Sequence, residues 1–238
     1  MAEFMELWPG GPLFAQAEHF KLSTDCVLLA DFVKGEKARR GIDLGCASGA
    51  IGLLLLERCP GLHMSGLELL PQAAELAAEN MAKNGLSERS DVVCGDIRLH
   101  RQLFKAGSFD LVVSNPPYFP ADRGLLSPVE GRAGARGELQ CSLEDICAAA
   151  AWLCRSGGSF CLVHRPQRLA ELFCAMSGHS LEPKRLRLVF HRPGAKPSLV
   201  LVEGRRNGGP GLDIEPNLYL SDPSGEESPE YKRIYHRT

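Results

Sequence analysis

The chain has 238 residues, of which 44% are hydrophobic and 24% are charged, and its net charge is −2. These values are typical of one globular domain with at most a small appendage, and they exclude a polycation. No apolar run approaches the roughly 20 residues that a membrane helix needs, and the acidic first residues lack the apolar core of a signal peptide. The nine cysteines form no C-x-x-C pair and mostly lie in apolar runs. They favour reduced thiols in a cytoplasmic protein over a metal or disulfide framework.

From residue 23 onwards, predicted helices and strands alternate. Residues 1–22 form an extended lead-in, and Ser23 or Thr24 can cap a helix with Asp25 in its first turn, where the dipole favours an anion. The next elements are predicted as strands at 40–44, 62–67, 91–94 and 109–114, and as helices at 50–58, from Pro71 to Gly85 and around 99–104. This alternation predicts a parallel α/β sheet.

The second half of the chain adds a loop, two helices and an edge hairpin. A long Gly/Arg-rich loop is predicted at 119–141, helices at 143–153 and 167–176, and strands at 159–163, 185–191 and 198–203, of which the last two form an antiparallel hairpin at the sheet edge. We divide the chain into a lead-in and helix that close the site (1–40), a main domain (41–206) and a C-terminal tail packed on or near it (207–238).

The first motif that predicts chemistry is Asp43-x-Gly45-x-x-x-Gly49, at the end of a strand. A strand, a glycine turn and a helix present backbone N–H groups to a ligand that approaches closely. The spacing differs from the G-x-G-x-x-G of dinucleotide-binding turns. Asp43 would repel a diphosphate and attract a cationic amine or sulfonium. Glu68 lies 19 residues beyond Gly49, where doubly wound folds place a carboxylate that binds ribose hydroxyls.

The second motif, Asn115-Pro116-Pro117-Tyr118, follows the apolar strand 109–114. Two prolines cannot continue a sheet ladder, because each lacks an N–H and has a fixed φ. The resulting corner holds an amide oxygen, a bare carbonyl and an aromatic ring together. Asn115 and Pro116 can accept from the two N–H bonds of a planar NH2 group, and Tyr118 can stack on its ring. The alternative is a strand-terminating turn with a buried tyrosine.

In combination, these motifs resemble the class I S-adenosylmethionine-dependent methyltransferases that methylate amino groups. The segments that carry the resemblance are 43–49, Glu68, Asp96 and 115–118. Further segments resemble the bacterial tRNA1(Val) adenine-37 N6-methyltransferase family, namely 14–16, 23–30, 135–138, 185–187 and 201–204. The resemblance implies a Rossmann-like fold with a seven-stranded, mostly parallel sheet, an antiparallel edge strand and helices on both faces.

The resemblance also implies the site residues and the partners. S-adenosylmethionine would be bound by Thr24, Asp25, Asp43, Gly45, Cys46, Gly49, Glu68, Leu69, Asp96, Ile97 and Asn115. Catalysis would use Asn115, Pro116 and Tyr118. The substrate would contact Pro117, Arg123, Arg132, Arg136, Arg185 and Arg187. The expected protein is a cytoplasmic monomer that acts on tRNA without a metal and without a membrane.

An uneven charge distribution bears on RNA binding. Residues 184–206 contain seven basic residues and one acidic residue. They predict either a strip that contacts phosphates together with the arginines of the 119–141 loop, or a solvated edge hairpin.

Three other functions fit the same motifs. Glutamine side-chain methylation of release factors uses a similar planar NH2 group, but those enzymes carry a sizeable helical N-terminal domain, and only 42 residues precede Asp43 here. Amino-methylation of rRNA or DNA is a second alternative. A non-catalytic cofactor-binding or RNA-binding subunit is the third, and the intact 115–118 motif argues against it.

Overall fold

The structure is a computed structural model that describes residues 3–16, 22–116 and 141–237. Its strands are β1 (Phe4–Glu6), β2 (Leu13–Ala15), β3 (Arg40–Leu44), β4 (His63–Glu68), β5 (Ser90–Cys94), β6 (Phe109–Ser114), β7 (Cys154–His164), β8 (Leu181–Phe190), β9 (Pro197–Arg206), β10 (Asp213–Ile214) and β11 (Leu218–Tyr219). Its helices are α1 (Thr24–Phe32), α2 (Ala50–Arg58), α3 (Pro71–Lys83), α4 (His100–Leu103), α5 (Leu143–Leu153), α6 (Leu169–Gly178) and α7 (Pro229–Ile234). Short 3-10 turns occur at Ser87–Arg89, Ile97–Leu99 and Pro166–Arg168.

Nine of the described strands form one sheet, in the order β10-β8-β9-β7-β6-β3-β4-β5, with β11 also paired to β8. Neighbouring strands are parallel except that β9 runs antiparallel to both β7 and β8. The carboxyl ends of β3 to β8 therefore share one rim of the sheet, the carboxyl edge, and their other ends form the amino edge. The predicted α/β fold with antiparallel pairing toward one side is confirmed. The predicted count of seven strands matches β3 to β9, and the two-residue strands β10 and β11 raise the count in the described sheet to nine.

The sheet separates two apolar cores. Successive side chains of a strand point to opposite faces, and β6 illustrates this, because Leu111 and Val113 pack in one core while Val112 packs in the other. Helices α1 and α2 cover the first face, and α5 and α6 cover the second. Burial on both faces explains why Leu111, Val112 and Val113 are three consecutive apolar residues in β6.

Several element boundaries differ from the predicted ones. Strand β7 was predicted at 159–163 but begins at Cys154, because Gly157, at φ 76°, lets the chain bulge and continue in the sheet. The helix predicted at 167–176 begins with a 3-10 turn and is α-helical only from Leu169. Within the predicted tail, β10 and β11 pair in parallel with β8. Two-residue strands carry no periodic signal, so composition alone cannot reveal them.

None of the helices among the described residues combines the length and apolarity needed to cross a bilayer. All nine cysteines lie in the described part of the chain and carry free thiols.

Candidate cofactor and acceptor site

The glycine turn after β3 is tied to the end of β4. The backbone N–H groups of Gly45 and Cys46 both donate to the carbonyl of Leu67, at 2.8 and 3.2 Å. Gly45 and Gly49 have φ of 77° and 81°, a region that favours glycine. A Cβ on Gly49 would also lie 3.2 Å from the Ala77 Cβ of α3. These positions therefore need glycine both for backbone conformation and for close packing of α3.

Asp43 is a buried carboxylate without a hydrogen-bond partner among the described residues. The residue is 1% exposed, and neither carboxylate oxygen is bonded. Burial, followed by repulsion from Glu68, raises the pKa of Asp43 to about 8. An uncompensated buried charge is costly, so the site favours a ligand that supplies a cation close to this carboxylate.

Glu68 lies beside Asp43 at the end of β4 and helps to shape the turn. Its Oε2 accepts from the Ala47 N–H at 2.9 Å, and its Oε1 accepts from the Leu70 N–H at 2.9 Å. Because each carboxylate oxygen has two acceptor sites, both oxygens can accept one further hydrogen bond. The side chain is 7% exposed and fixed in orientation. This arrangement fits the predicted binding of two ribose hydroxyls.

The end of β5 brings Asp96 and Ile97 to the same rim. Asp96 caps the 3-10 turn by accepting from the Arg98 N–H at 2.8 Å, and its Oδ2 lies 2.6 Å from Arg98 Nη2. The Arg98 guanidinium holds the pKa of Asp96 below its ordinary value. Ile97 reaches toward the glycine turn, with its Cδ1 3.9 Å from the position of a Cβ on Gly45. The neighbouring carbonyl of Leu69 accepts from the Cys94 thiol at 3.7 Å, which joins the ends of β4 and β5.

Asn115 follows β6 directly and is held next to the glycine turn. The Ser114 hydroxyl donates to the Leu44 carbonyl at 2.8 Å, so the ends of β6 and β3 are joined one residue before Gly45. Asn115 Nδ2 donates to Cys26 Sγ of α1 at 3.3 Å. The charge of Asp43 acts on the same thiol, whose pKa is raised mainly by burial. The structure thus brings together Asn115, Asp43 and the first turn of α1.

Thr24 and Asp25 lie in that first turn, which the C-terminal segment contacts. The Thr24 side chain is hydrogen-bonded to Tyr235, and Arg233 makes a bidentate ion pair with Asp31, with both distances 3.0 Å. The charge of Asp25 also acts on the Cys26 thiol. These contacts join α1 to the C-terminal segment.

Sequence reasoning missed two positioning residues, Cys26 and Asn80. Asn80 is fully buried in α3, and its Nδ2 donates to the carbonyls of Ala15 at 2.9 Å and Ser48 at 2.8 Å. It therefore joins β2 to the glycine turn. Asn84, one turn further along α3, binds the backbone of Leu13 in the same way. Asn80 inside the helix, where asparagine is unfavourable, was the available signal, together with Asn84 four residues later at the C-cap of α3.

The predicted substrate residues, taken together with the predicted catalytic residue Tyr118, divide into two groups. Pro117, Tyr118, Arg123, Arg132 and Arg136 lie outside the described residues. Arg185 and Arg187 are described, and both bind other groups of the protein, while their contact with the substrate stays a prediction. Arg185 is 7% exposed and binds Glu203 and Glu215, both at 2.9 Å, and the Phe32 carbonyl at 2.6 Å. Arg187 binds Glu230 at 2.8 Å and the Pro216 carbonyl at 2.9 Å.

Replacement of Arg185 by lysine distinguishes a structural role of this residue from a contact with RNA phosphates. Lysine keeps the charge but cannot reproduce the forked contacts with two carboxylates and a carbonyl. We expect Arg185→Lys to lower the free energy of unfolding by about 1–2 kcal/mol, which is a fall of roughly 3–6 °C in melting temperature. A thermal melt checks the stability, and RNA affinity should stay unchanged. A normal melting temperature with weakened RNA binding would instead support the predicted contact of Arg185 with RNA phosphates.

Comparison with known proteins identifies the family. Residues 17–127 match the methyltransferase small domain family. A tRNA1(Val) (adenine(37)-N6)-methyltransferase of Bacteroides fragilis is 34% identical over 183 residues, which cover 76% of each protein. The chain belongs to this methyltransferase family. Another member, from Porphyromonas gingivalis, is 32% identical over 223 residues, or 90% of this chain and 86% of the relative.

The fold of this methyltransferase also has a solved counterpart. A crystal structure described as a predicted O-methyltransferase of Agrobacterium tumefaciens superposes with a TM-score of 0.72 over 90% of this chain and 96% of its own. The two sequences are 24% identical, so this likeness concerns the fold. The methyltransferase resemblance stated from the motifs is confirmed by the relatives.

The cofactor of this methyltransferase family is S-adenosylmethionine. The described residues fit it in two respects. Asp43 is a buried, unpartnered carboxylate beside the glycine turn and suits a ligand that carries a sulfonium and an ammonium group. Glu68 has a fixed carboxylate with acceptor capacity for a ribose diol.

Glu68→Gln is expected to raise the dissociation constant for S-adenosylmethionine about tenfold. An amide has one acceptor oxygen, so it cannot accept from both the Ala47 and Leu70 N–H groups and also bind two hydroxyls. Isothermal titration calorimetry measures the change. The exposed Glu79 of α3 provides the matched control, and Glu79→Gln should bind like the wild type. Equal affinity in Glu68→Gln would remove Glu68 from the cofactor site.

Proposed function

We propose that this methyltransferase transfers a methyl group from S-adenosylmethionine to N6 of an adenine in tRNA, at the position-37 type of site in the anticodon loop. The relatives from two genera, which are named as tRNA1(Val) (adenine(37)-N6)-methyltransferases, support this substrate. One observation of the structure carries the proposal. Asn115 stands at the carboxyl edge, joined to the glycine turn through Ser114 and Leu44 and to the cofactor-closing helix α1 through Cys26.

The proposed chemistry depends on acceptors that face the reacting amine. The exocyclic nitrogen of adenine is a weak nucleophile, because its lone pair is delocalised into the ring. Since Asn115 Nδ2 donates to Cys26, the oxygen of the same amide points away from that thiol. That oxygen and the Pro116 carbonyl would accept both N–H bonds, favour a pyramidal nitrogen and stabilise its developing positive charge.

Alignment is the remaining task of the protein. S-adenosylmethionine, when bound, supplies an electrophilic methyl group on a sulfonium. Asp43 and Glu68 would hold the cofactor, while the hydrogen bonds of Ser114 and Cys26 hold Asn115 at a fixed distance from it. Because both reactants are then held in position, aligning them costs less entropy. Tyr118 would stack on an adenine turned out of its neighbours, as enzymes that modify bases require. We further propose that the enzyme acts as a cytoplasmic monomer.

The decisive test is nucleoside analysis. Purified protein is incubated with total tRNA and S-adenosylmethionine carrying a labelled methyl group, and the digested RNA is analysed by mass spectrometry. We expect label in N6-methyladenosine from tRNA, and none from DNA or rRNA offered at equal concentration. Label in a release-factor glutamine with none in RNA would overturn the proposal in favour of protein methylation. Methylation of tRNA by the purified chain alone would also exclude the alternative that the protein is a non-catalytic subunit.

A further inference from the structure

We propose that the turn between β8 and β9, residues 191–196, contacts phosphates of the RNA substrate through Arg192 and Lys196. This inference rests on the proposed function and assigns the substrate surface that the sequence placed at Arg185 and Arg187. Of the seven basic residues in segment 184–206, only Arg192 and Lys196 are assigned a contact with phosphates.

The turn lies at the same rim as Asn115. Strand β7 runs parallel to β6, β9 runs antiparallel to β7, and β8 runs antiparallel to β9. The end of β8 and the start of β9 are therefore at the carboxyl edge. Adjacent strands are about 4.8 Å apart, so β9 and β8 stand roughly 10–15 Å to one side of β6. That span allows an RNA with one base at Asn115 to place neighbouring phosphates over the turn.

The two cations are available for a ligand. Arg192 and Lys196 are both exposed, and neither side chain makes a hydrogen bond or an ion pair with any other residue in the described ranges. The turn that carries them is ordered, with the Ala195 N–H donating to the Arg192 carbonyl at 3.2 Å and Gly194 at φ 79°. Arg165 adds a third positive charge beside them, because its Nη1 donates to the Ser198 carbonyl at 3.2 Å.

The other cations of segment 184–206 are engaged elsewhere. Arg185 and Arg187 bind acidic side chains of the C-terminal segment. Lys184, Arg205 and Arg206 lie toward the amino edge, and their side chains donate to backbone carbonyls. Lys184 binds the carbonyls of Gly209 and Pro210, Arg205 binds that of Gly157, and Arg206 binds those of His179 and Ser180. The two residues proposed to contact phosphates thus differ from the other five cations of the segment in their position along the strands and in their contacts with the rest of the protein.

Acidic residues border the turn on the side away from Asn115. Strand β11 pairs with β8 on the side opposite β9, and the Ser221 N–H that follows it donates to the His191 carbonyl at 2.8 Å. Asp222 and Glu226 come next in the chain. A polyanion is repelled there and attracted on the β9 and β7 side, so the charge pattern directs RNA from the turn toward Asn115.

The test compares salt dependence in two matched double variants. Arg192→Ala/Lys196→Ala removes the proposed contacts, and Lys37→Ala/Lys105→Ala removes two exposed cations that precede β3 and β6 at the amino edge. Filter binding to total tRNA is measured between about 50 and 200 mM salt. We expect the first variant to bind about tenfold more weakly and to lose about 1.5 from the slope of log K against log salt. The second variant should match the wild type in affinity, in slope and in kcat at saturating tRNA.

An unchanged slope in Arg192→Ala/Lys196→Ala, or an equal loss in Lys37→Ala/Lys105→Ala, would overturn the assignment of this turn. The proposed function has a separate readout. A wild-type protein that binds tRNA but forms no N6-methyladenosine would remove the proposed activity, while the comparison of slopes would still decide the role of the turn.

Discussion

Asn115→Ala is expected to lower kcat for tRNA methylation by about 100-fold or more and to leave the affinity for S-adenosylmethionine nearly unchanged. The substitution removes one acceptor of the reacting amine, and loss of one group that stabilises developing charge has this magnitude in other enzymes. The cofactor contacts proposed for Asp43 and Glu68 lie on β3 and β4 and remain in place. Single-turnover kinetics with saturating cofactor and tRNA measures the chemical step, and calorimetry measures cofactor affinity.

Asn217→Ala is the matched control for this experiment, since Asn217 is exposed in the C-terminal segment and should be silent. Far-UV circular dichroism establishes that both variants fold. Near-normal turnover in Asn115→Ala would show that the amide takes no part in methyl transfer and would leave the corner after β6 as a structural turn. Equal losses of kcat and cofactor affinity would instead place Asn115 mainly in cofactor binding.

The acceptor side of the site was predictable from sequence because its determinants are local. The apolar run 109–114 and the prolines after it fix where β6 ends, and the structure gives β6 the predicted bounds. The same holds for α5, which has the predicted bounds and a capping box at Ser142. Asp43 is near the end of β3, Glu68 is the last residue of β4 and Asp96 follows β5, so a parallel sheet alone brings them to one edge.

The contacts that position this site were not predictable, because they join residues far apart in the chain. Cys26 lies 89 residues before Asn115, and its place in an apolar helix face gave no sign of a polar partner. Arg185 shows the converse. It was counted as surface charge, but Glu215, 30 residues away, pairs with it in the interior. Charge counted along a segment cannot distinguish paired from unpaired cations, and only the strand directions show which end of a hairpin faces the site.

Asp43→Asn is expected to stabilise the ligand-free protein and to weaken S-adenosylmethionine binding by about 10- to 100-fold. The pKa of Asp43 is raised from 3.8 to about 8 in the folded protein, mainly by burial. Between these values the folded protein retains a proton that the unfolded chain has released, so this group makes stability fall as pH rises toward 8. Asparagine removes that dependence. The melting temperatures of variant and wild type should therefore be similar near about pH 4 and diverge in favour of the variant as pH approaches 8.

The same substitution tests whether Asp43 provides the negative charge that binds the cofactor. A ligand cation beside Asp43 favours the ionised carboxylate, so binding to the wild type should release a proton and tighten as pH rises toward 8. Titration calorimetry in buffers of different ionisation enthalpy measures the released proton, and the difference between wild type and Asp43→Asn cancels protons released by the ligand itself. A variant with lower melting temperatures at every pH and undiminished cofactor affinity would show that Asp43 is a paired structural carboxylate. In that case the cation must be compensated by Glu68 alone, and the glycine turn rather than the carboxylate beside it would set the affinity of the enzyme for its cofactor.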